Sequence, residues 1–135
     1  MGWIFWNKLI GGDFSDGELA YTSFERALRM FTYSYHGDTC GGHTRIYPTQ
    51  KPVPLYIWLL QNYAHRGDKI LDTHVGSASS LIACHRMGFE YWGFELDESY
   101  YKAASERLAK EQAQQTLFSP EEIYKPQQQG LEFDE

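Results

Sequence analysis

Two short segments of the sequence carry residue types suited to binding a nucleoside. The first, DTHVGSAS, places Asp72 at the end of an apolar run and just before a turn that begins at Gly76. The second, GFELD, places Glu95 at the spacing of ~20 residues expected between a glycine turn and its acidic partner. In open α/β sheets, such a turn lets a ligand approach the backbone, and the acid accepts hydrogen bonds from ribose hydroxyls. The alternative is an ordinary strand-to-helix turn with two surface carboxylates, and the position of Glu95 favours the nucleoside.

The form of the turn narrows the choice of ligand. The pattern D-x-x-x-G-S contains a single glycine turn at Gly76 and is not the G-x-G-x-x-G of dinucleotide sites. No glycine run follows that could cradle a pyrophosphate. The arrangement suits a mononucleoside without a phosphate to hold, which points to S-adenosylmethionine.

The elements that must position these residues follow from the periodicity of the chain. Helix and strand signals alternate over residues 69–114, which predicts an α/β fold whose two strands are parallel. The turn residues Arg66, Gly67 and Asp68 are expected to end the preceding helix. The predicted strands are WIFWNKL, ELAYTSF, LRMFTYSY, KILDTHV and EYWGFEL, and the predicted helices are YIWLLQNYA, SSLIACHRM and SYYKAASERLAKEQAQ, while SFERA is either a turn or a short helix.

Composition sets broader limits. A chain of 135 residues is the size of one domain, and its net charge of −6 gives no global basic footprint for nucleic acid, although a local one remains possible. Cys40 and Cys84 are too few for a disulfide framework, and no Cys/His spacing typical of a metal site surrounds them. No apolar run reaches the roughly 18 residues that span a bilayer. We therefore expect a cytoplasmic protein with no membrane partner and no metal.

The combination of RIYPTQKPVPLYIWLL, LDTHVGSAS and GFELD resembles the exocyclic-amino DNA methyltransferases, which make N6-methyladenine or N4-methylcytosine. It is most similar to their permuted β-type group, common in bacteria and phages, in which the PTQKP segment precedes the cofactor strand. FWNK and ELAYTSFERALRMFTYSY resemble the aromatic strands of the same family, so the resemblance covers roughly residues 3–118. It implies a Rossmann-like methyltransferase fold, S-adenosylmethionine as cofactor, DNA as substrate, and DNA methylation of the restriction-modification kind.

The resemblance also implies roles for individual residues. Residues that would line the methionine part of the cofactor are Asp72, Thr73, His74, Gly76 and Ser77. Glu95 would accept hydrogen bonds from the ribose, with Leu96 and Asp97 near the adenine. Thr49, Lys51 and Pro52 would close the methionine end.

Two positions depart from the family pattern. His74 stands where the family usually has Phe or a similar residue, and we interpret it as a partly buried histidine without a chemical role. Ala78 stands where the family commonly has Gly, and its methyl group could narrow the turn.

The catalytic loop of the family, Asp-Pro-Pro-Tyr or a close variant, is absent from this sequence. That loop accepts hydrogen bonds from the target amine and stacks on the flipped-out base. None of the five prolines forms a Pro-Pro pair, and Ser119-Pro120 lacks the following proline and aromatic residue. In the permuted β-type enzymes, this loop precedes the segment that FWNK resembles. We therefore expect the carboxyl-terminal portion of a truncated or split enzyme, lacking its central catalytic strands and any catalytic residue.

The expected layout is a partial methyltransferase domain over residues 1–118 and a poorly ordered tail over residues 119–135. Within the domain we expect aromatic strands at 1–36, a connecting loop and helix at 37–67, and the cofactor-binding strands and helices at 68–115. Candidate DNA phosphate contacts are Lys8, Arg26, Arg29, His43 and Arg45.

Two other functions remain open. The chain could be a non-catalytic remnant or an interaction module that pairs, through open sheet edges, with a second polypeptide carrying the catalytic loop. A methyltransferase for RNA or a small molecule has less support, because the PTQKP-first order belongs mainly to the DNA group.

Overall fold

The structure is a computed structural model that describes residues 1–13, 15–34 and 45–114. The chain divides into two compact units, Met1–Gln50 and Lys51–Glu135. The predicted tail at 119–135 and residues 37–44 of the predicted connecting loop lie outside the described residues.

The first unit is a three-stranded sheet with the central strand first in the chain. Its strands are β1 (Gly2–Asn7), β2 (Gly17–Thr22) and β3 (Arg29–Thr32), in the order β2-β1-β3. β1 pairs antiparallel with β2 and parallel with β3. Along β1 the buried side chains of Ile4 and Trp6 alternate with the exposed Trp3, as expected for a strand with one covered face. The three aromatic strands are thus present, although β3 ends at Thr32 and is shorter than the predicted LRMFTYSY. SFERA forms no helix, and its first two residues form a bend.

The second unit alternates helices and strands as the sequence predicts. Its elements are α1 (Val53–Tyr63), β4 (Lys69–Asp72), α2 (Ser79–Met87), β5 (Glu90–Gly93) and α3 (Glu98–Ala113). β4 and β5 are parallel neighbours, with Leu71 opposite Trp92, and α2 forms the crossover between them. The parallel arrangement expected for this part of the chain is confirmed.

The ends of the helices follow from local chemistry. Asp97 caps α3, since its side chain accepts hydrogen bonds from the backbone N–H groups of Ser99 at 2.9 Å and Tyr100 at 3.0 Å. Gly88 ends α2 in a left-handed conformation with φ of 72°, which glycine adopts without steric cost. A proline lies in the first turn of α1, where the missing N–H costs no hydrogen bond.

Both strands of the parallel pair are shorter than predicted. We expected KILDTHV and EYWGFEL to be extended throughout, but β4 ends at Asp72 and β5 at Gly93. The Asp72 carboxylate accepts a hydrogen bond from the N–H of His74 at 2.9 Å, which turns the chain locally. Pairing nevertheless continues beyond the strands, because Phe94 donates to the carbonyl of Asp72 at 2.9 Å and Val75 donates to that of Phe94 at 3.0 Å.

The helix α2 forms the centre of the second unit. Seven of its nine residues are buried, and Cys84 and Met87 are its largest fully buried side chains. Burial, together with the nearby Asp72 carboxylate, raises the pKa of the Cys84 thiol to about 11. The core cluster around α2 consists of Val53, Leu60, Ile82, Ala83, Cys84, Met87 and Phe89.

One face of the β4–β5 pair is exposed. The side chains of Leu71 and Trp92 are 59% and 51% exposed, and the Lys69 ammonium lies 5.8 Å from the centre of the Trp92 ring. Among the described residues, β4 and β5 pair only with each other. Parallel sheets normally have both faces covered, so this small sheet has the character of part of a larger one.

An ion pair joins α2 to α3. The Arg86 guanidinium donates two hydrogen bonds to the carboxylate of Glu111, at 2.5 and 3.0 Å. The hydrogen bond from Arg86 is the main reason why the pKa of Glu111 lies below its ordinary value of 4.5. The pair therefore contributes its full stabilisation above pH 4.5 and loses it as the pH falls through the lowered pKa of the folded state.

We expect Glu111→Gln to lower the free energy of unfolding by about 1 kcal/mol at pH 7 and by much less near pH 3. Urea unfolding followed by tryptophan fluorescence at both pH values measures the difference. Glu106→Gln, at an exposed position of α3, is the matched control and should change little at either pH. An equal loss at both pH values for Glu111→Gln would contradict the ion-pair explanation.

Candidate cofactor-binding site

The turn after β4 is fastened to the end of β5 by a carboxylate. The Oε2 atom of Glu95 accepts a hydrogen bond from the backbone N–H of Gly76 at 2.9 Å, and its Oε1 atom accepts one from the N–H of Asp97 at 3.0 Å. The two predicted segments, DTHVGSAS and GFELD, therefore meet at the carboxyl ends of two adjacent parallel strands. In open α/β sheets this is where ligands bind.

The Glu95 carboxylate is ionised and has unused acceptor positions. The backbone N–H groups of Asp97 and Gly76 lower its pKa, which keeps it ionised at neutral pH. A carboxylate has about four acceptor positions, and these two bonds use one on each oxygen. The remaining acceptor positions can receive the two hydroxyl groups of a ribose.

Asp72 is held between the turn and the start of α2. Its Oδ1 atom accepts the N–H of His74 at 2.9 Å, and its Oδ2 atom accepts the hydroxyl of Ser80 in a short hydrogen bond. Thr73 and His74 are exposed, and the Thr73 hydroxyl lies 2.9 Å from Nδ1 of His74. Our interpretation of His74 as partly buried was therefore wrong: the turn imposed by Asp72 directs it to solvent.

The backbone of the turn is left-handed at two nearby residues. Gly76 has φ of 56°, and Ala78, the N-terminal cap of α2, has φ of 64°. A left-handed conformation costs a residue with a side chain roughly 1–2 kcal/mol. The surrounding structure offsets this cost, since Ala78 is buried and its N–H donates to the carbonyl of Val75 at 3.0 Å. Whether the Ala78 methyl group narrows the turn for a cofactor stays a prediction.

A residue from α3 completes the turn. The Arg107 guanidinium donates to the carbonyl of Ser77 at 2.6 Å and to the hydroxyl of Ser79 at 2.8 Å. Both serines are buried. Arg107 was not among the predicted site residues, because on an amphipathic helix it has the pattern of an ordinary surface charge.

A shallow depression opens beside Glu95, between the turn, the end of β5 and α3. Its volume of about 50 Å³ is well below the roughly 300 Å³ or more of a pocket that encloses a small ligand. The Glu95 carboxylate therefore lines a depression that is open to solvent and too small to enclose a nucleoside. The residues that line the depression are Val75, Ala78, Leu81, Gly93, Glu95, Tyr101, Ala104, Ser105 and Leu108.

The two residues after Glu95 differ in what they do in the structure. The side chain of Leu96 is fully exposed, at 102%, and is available to cover a flat apolar ligand. Asp97 caps α3, as described above, and the hydrogen bond from the hydroxyl of Ser99 is the main cause that lowers its pKa. A contact of either residue with adenine stays a prediction.

The PTQKP residues are divided between the two units. Thr49 is exposed in a turn of the first unit, while Lys51 and Pro52 directly precede α1 in the second. Pro52 is buried and Lys51 is partly buried. Their approach to the methionine end of a cofactor stays a prediction.

The candidate DNA-contacting residues lie in the first unit. Lys8 pairs with Glu18 at 2.5 Å and lies over the ring of Trp6, so its charge is partly neutralised. Arg26, Arg29 and Arg45 are exposed, and His43 lies outside the described residues. Within the described ranges there is no cluster of three or more acidic, histidine or cysteine side chains that could hold a metal ion, and no helix long and apolar enough to span a membrane.

Comparison with known proteins gives the family. A family model described as DNA methylase matches residues 14–106, which include both the turn at Gly76 and Glu95. The chain belongs to this DNA methylase family.

Individual relatives agree with this assignment. YubD of Escherichia coli (strain K12), provisionally named a methylase, is 38% identical over 65 residues, which are 48% of this chain and 29% of YubD. The type II methyltransferase M.HpaI of Haemophilus parainfluenzae is 32% identical over 76 residues, which are 56% of this chain and 24% of M.HpaI. The matched part of the chain thus spans about a quarter of the length of these relatives.

A solved structure shows the fold. The crystal structure of the M1.HpyAVI–SAM complex superimposes with a TM-score of 0.59 at 22% identity, over 78% of this chain and 60% of that one. The predicted class, an incomplete Rossmann-like methyltransferase fold, is confirmed.

The close approach of the turn to β5 depends on Gly93. A Cβ atom at this position would overlap a methyl group of Val75 and lie 2.8 Å from Cδ1 of Leu81. We expect Gly93→Ala to destabilise the fold by about 1–3 kcal/mol, because Val75 must move and the turn with it. Urea unfolding measures this loss.

The double variant Val75→Ala with Gly93→Ala should recover part of that stability, because the smaller side chain leaves room for the new methyl group. If the two substitutions add without any favourable coupling, Val75 is not the group that requires glycine here.

Proposed function

We propose that this chain is the cofactor-binding portion of a site-specific DNA methyltransferase. The reaction is transfer of a methyl group from S-adenosylmethionine to the exocyclic amine of adenine or cytosine. The observation that carries the proposal is the placement of the Glu95 carboxylate, at the end of β5, against the glycine turn that follows β4. Family membership supports the reaction type, and the absence of any pyrophosphate-binding glycine pattern supports a mononucleoside cofactor.

The residues of the turn fit the cofactor in chemistry. Glu95 would accept hydrogen bonds from the ribose, and the exposed Leu96 would cover one face of the adenine, with Asp97 beside it. Asp72, whose carboxylate keeps unused acceptor positions, would bind the ammonium group of the methionine part. Thr73, His74, Gly76 and Ser77 would line the same part, and Thr49, Lys51 and Pro52 would close it, with the lysine facing the carboxylate.

The bound cofactor supplies an electrophilic methyl group, and its use requires a group that holds the target amine. The family's Asp-Pro-Pro-Tyr loop is not in this sequence, so no residue here is assigned that role. We infer that the loop comes from residues outside this sequence, in the same polypeptide or in a second one. DNA would reach the site through that larger assembly, with Lys8, Arg26, Arg29, His43 and Arg45 as candidate phosphate contacts.

A second function, an interaction module, draws on the exposed face of the β4–β5 pair. Leu71 and Trp92 are both more than half exposed, although a parallel sheet is normally covered on both faces. A second polypeptide could pair its strands with the open edges of this sheet and cover the exposed face with a helix. Such a module would bind its partner even if the turn at Gly76 bound no cofactor. This independence distinguishes the interaction module from the methyltransferase.

We expect the purified chain to bind S-adenosylmethionine weakly in a calorimetric titration, and Glu95→Gln to reduce this affinity about tenfold or more. A hydrogen bond to a charged group accounts for an effect of this size. Glu106→Gln is the matched control, because it removes an exposed carboxylate from α3 without touching the turn. Circular dichroism must show that all three proteins are folded.

A cofactor analogue without the ribose 2′- and 3′-hydroxyl groups shows whether Glu95 acts on the ribose. The unmodified chain should discriminate against it, and Glu95→Gln should discriminate much less. Equal discrimination by both proteins would assign Glu95 only to holding the turn. A folded chain with no heat of binding would favour the interaction module.

We expect no methyl transfer to unmodified DNA by this chain alone, because the family's catalytic loop is missing. Incubation with radiolabelled cofactor and DNA that contains no methylated bases measures transfer. Incorporation of label above that of a Glu95→Ala control would refute this part of the proposal.

A further inference from the structure

We propose that Arg107 is a positioning residue for the cofactor turn, holding the strained peptide between Ser77 and Ala78 in the orientation that binds the nucleoside cofactor. The proposal rests on the proposed function and adds a residue on α3 to the site. Arg107 would act through the turn and would not touch the cofactor.

The two hydrogen-bonding groups of that peptide are held from different sides. Its carbonyl, on Ser77, accepts from Arg107 at 2.6 Å, and its N–H, on Ala78, donates to the carbonyl of Val75 at 3.0 Å. Rotation of this peptide plane changes φ of Ala78 directly. Without Arg107, the plane could rotate and return Ala78 from its φ of 64° to the negative region that residues with a side chain prefer.

The surroundings make Arg107 the principal support on the carbonyl side. Ser77 and Ser79 are 4% and 2% exposed, so solvent has little access to replace the lost hydrogen bonds. The hydroxyl of Ser79 accepts a second hydrogen bond from the same Nη1 atom of Arg107, and it lies 3.1 Å from the hydroxyl of Ser77. In addition, no side chain caps the N-terminus of α2, so Arg107 supplies a polar contact to this helix start beside the one between Ser80 and Asp72.

The consequence for the cofactor follows from the neighbouring contacts. Rotation of the Ser77–Ala78 peptide would break the hydrogen bond from the N–H of Ala78 to the carbonyl of Val75, which closes the turn around Gly76, and the N–H of Gly76 is bound by Glu95. The distance between the Glu95 carboxylate and the turn at Gly76 would then no longer be fixed. These two groups are proposed to face the ribose and the methionine part of the cofactor. Arg107 therefore couples α3 to both ends of the proposed site.

The first measurement is independent of the cofactor. Amide hydrogen exchange of Ala78, followed by NMR in the chain without ligand, should be about tenfold faster in Arg107→Gln than in the unmodified chain. Arg86→Gln is the matched control: it removes the guanidinium that pairs with Glu111, so it weakens the contact between α2 and α3 but leaves the turn intact. Exchange at Ala78 should change no more in Arg86→Gln than exchange at the other amides of α2.

The second measurement is the affinity for S-adenosylmethionine by calorimetry. Arg107→Gln should bind about tenfold more weakly, and Arg86→Gln should bind as the unmodified chain does. Ala78→Gly removes the need to hold a strained residue, so Arg107→Gln should cost clearly less affinity in the Ala78→Gly background. That rescue would not occur if Arg107 only stabilised the fold. Arg107→Lys, which keeps the charge and one donor, replaces Arg107→Gln if the latter does not fold, and should give an intermediate loss.

The outcomes separate the two proposals. If the unmodified chain does not bind the cofactor, the proposed function fails and with it the cofactor role of Arg107, whatever the exchange shows. If it binds, two results would each overturn the positioning role alone. One is unchanged exchange at Ala78 in Arg107→Gln, and the other is an equal loss of affinity from Arg107→Gln in the unmodified and the Ala78→Gly backgrounds.

Discussion

The hydrogen bond from the N–H of Gly76 to the carboxylate of Glu95 joins the ends of two strands that would otherwise diverge. Past Asp72 and Gly93 the regular ladder stops, yet the backbone bonds between Asp72, Phe94 and Val75 continue the connection up to this carboxylate. The turn thereby acquires a fixed distance from β5. The same hydrogen bond is one of those that keep Glu95 ionised, so the position of the turn and the charge of the site are linked.

Small residues make this closure possible. Gly93 lets Val75 and Leu81 approach the backbone of β5, and Ser79, Ser80 and Ala83 let α2 pack closely enough to be almost wholly buried. The polar groups introduced by the serines are satisfied within the turn, by Asp72 and Arg107, which is the condition for burying them at little cost. Packing and polar contacts therefore stabilise the same backbone conformation. Together they offset the cost of the left-handed conformation at Ala78.

The sequence predicted this architecture well where local signals agree. The helix SSLIACHRM was predicted with the bounds that α2 has, and the alternation of helix and strand signals predicted the parallel β4–β5 pair. It overestimated the strands after Asp72, because Thr73, His74 and Val75 have strand-like composition while the Asp72 side chain turns the chain. A side-chain hydrogen bond overrode local propensity there.

Other features had no local signal at all. Nothing in the sequence around Arg107 distinguishes it from Lys102 or Lys110 on the same helix, since its role depends on contacts 28 and 30 residues away along the chain. Likewise, pairing of β3 with β1 instead of β2 is set by the whole sheet. The roles of Thr49, Lys51 and Pro52 came from resemblance, and the geometry of the second unit bears only on the turn and Glu95.

The position of Cys84 has a kinetic consequence. Its thiol is buried in the middle of α2, with a pKa of about 11, so hardly any thiolate is present at neutral pH and reagents cannot reach it in the folded unit. Reaction must wait until α2 leaves the sheet. With Cys40 replaced by serine, and with enough reagent for alkylation to outpace reclosing, the rate of alkylation would report how often the second unit opens in the absence of denaturant.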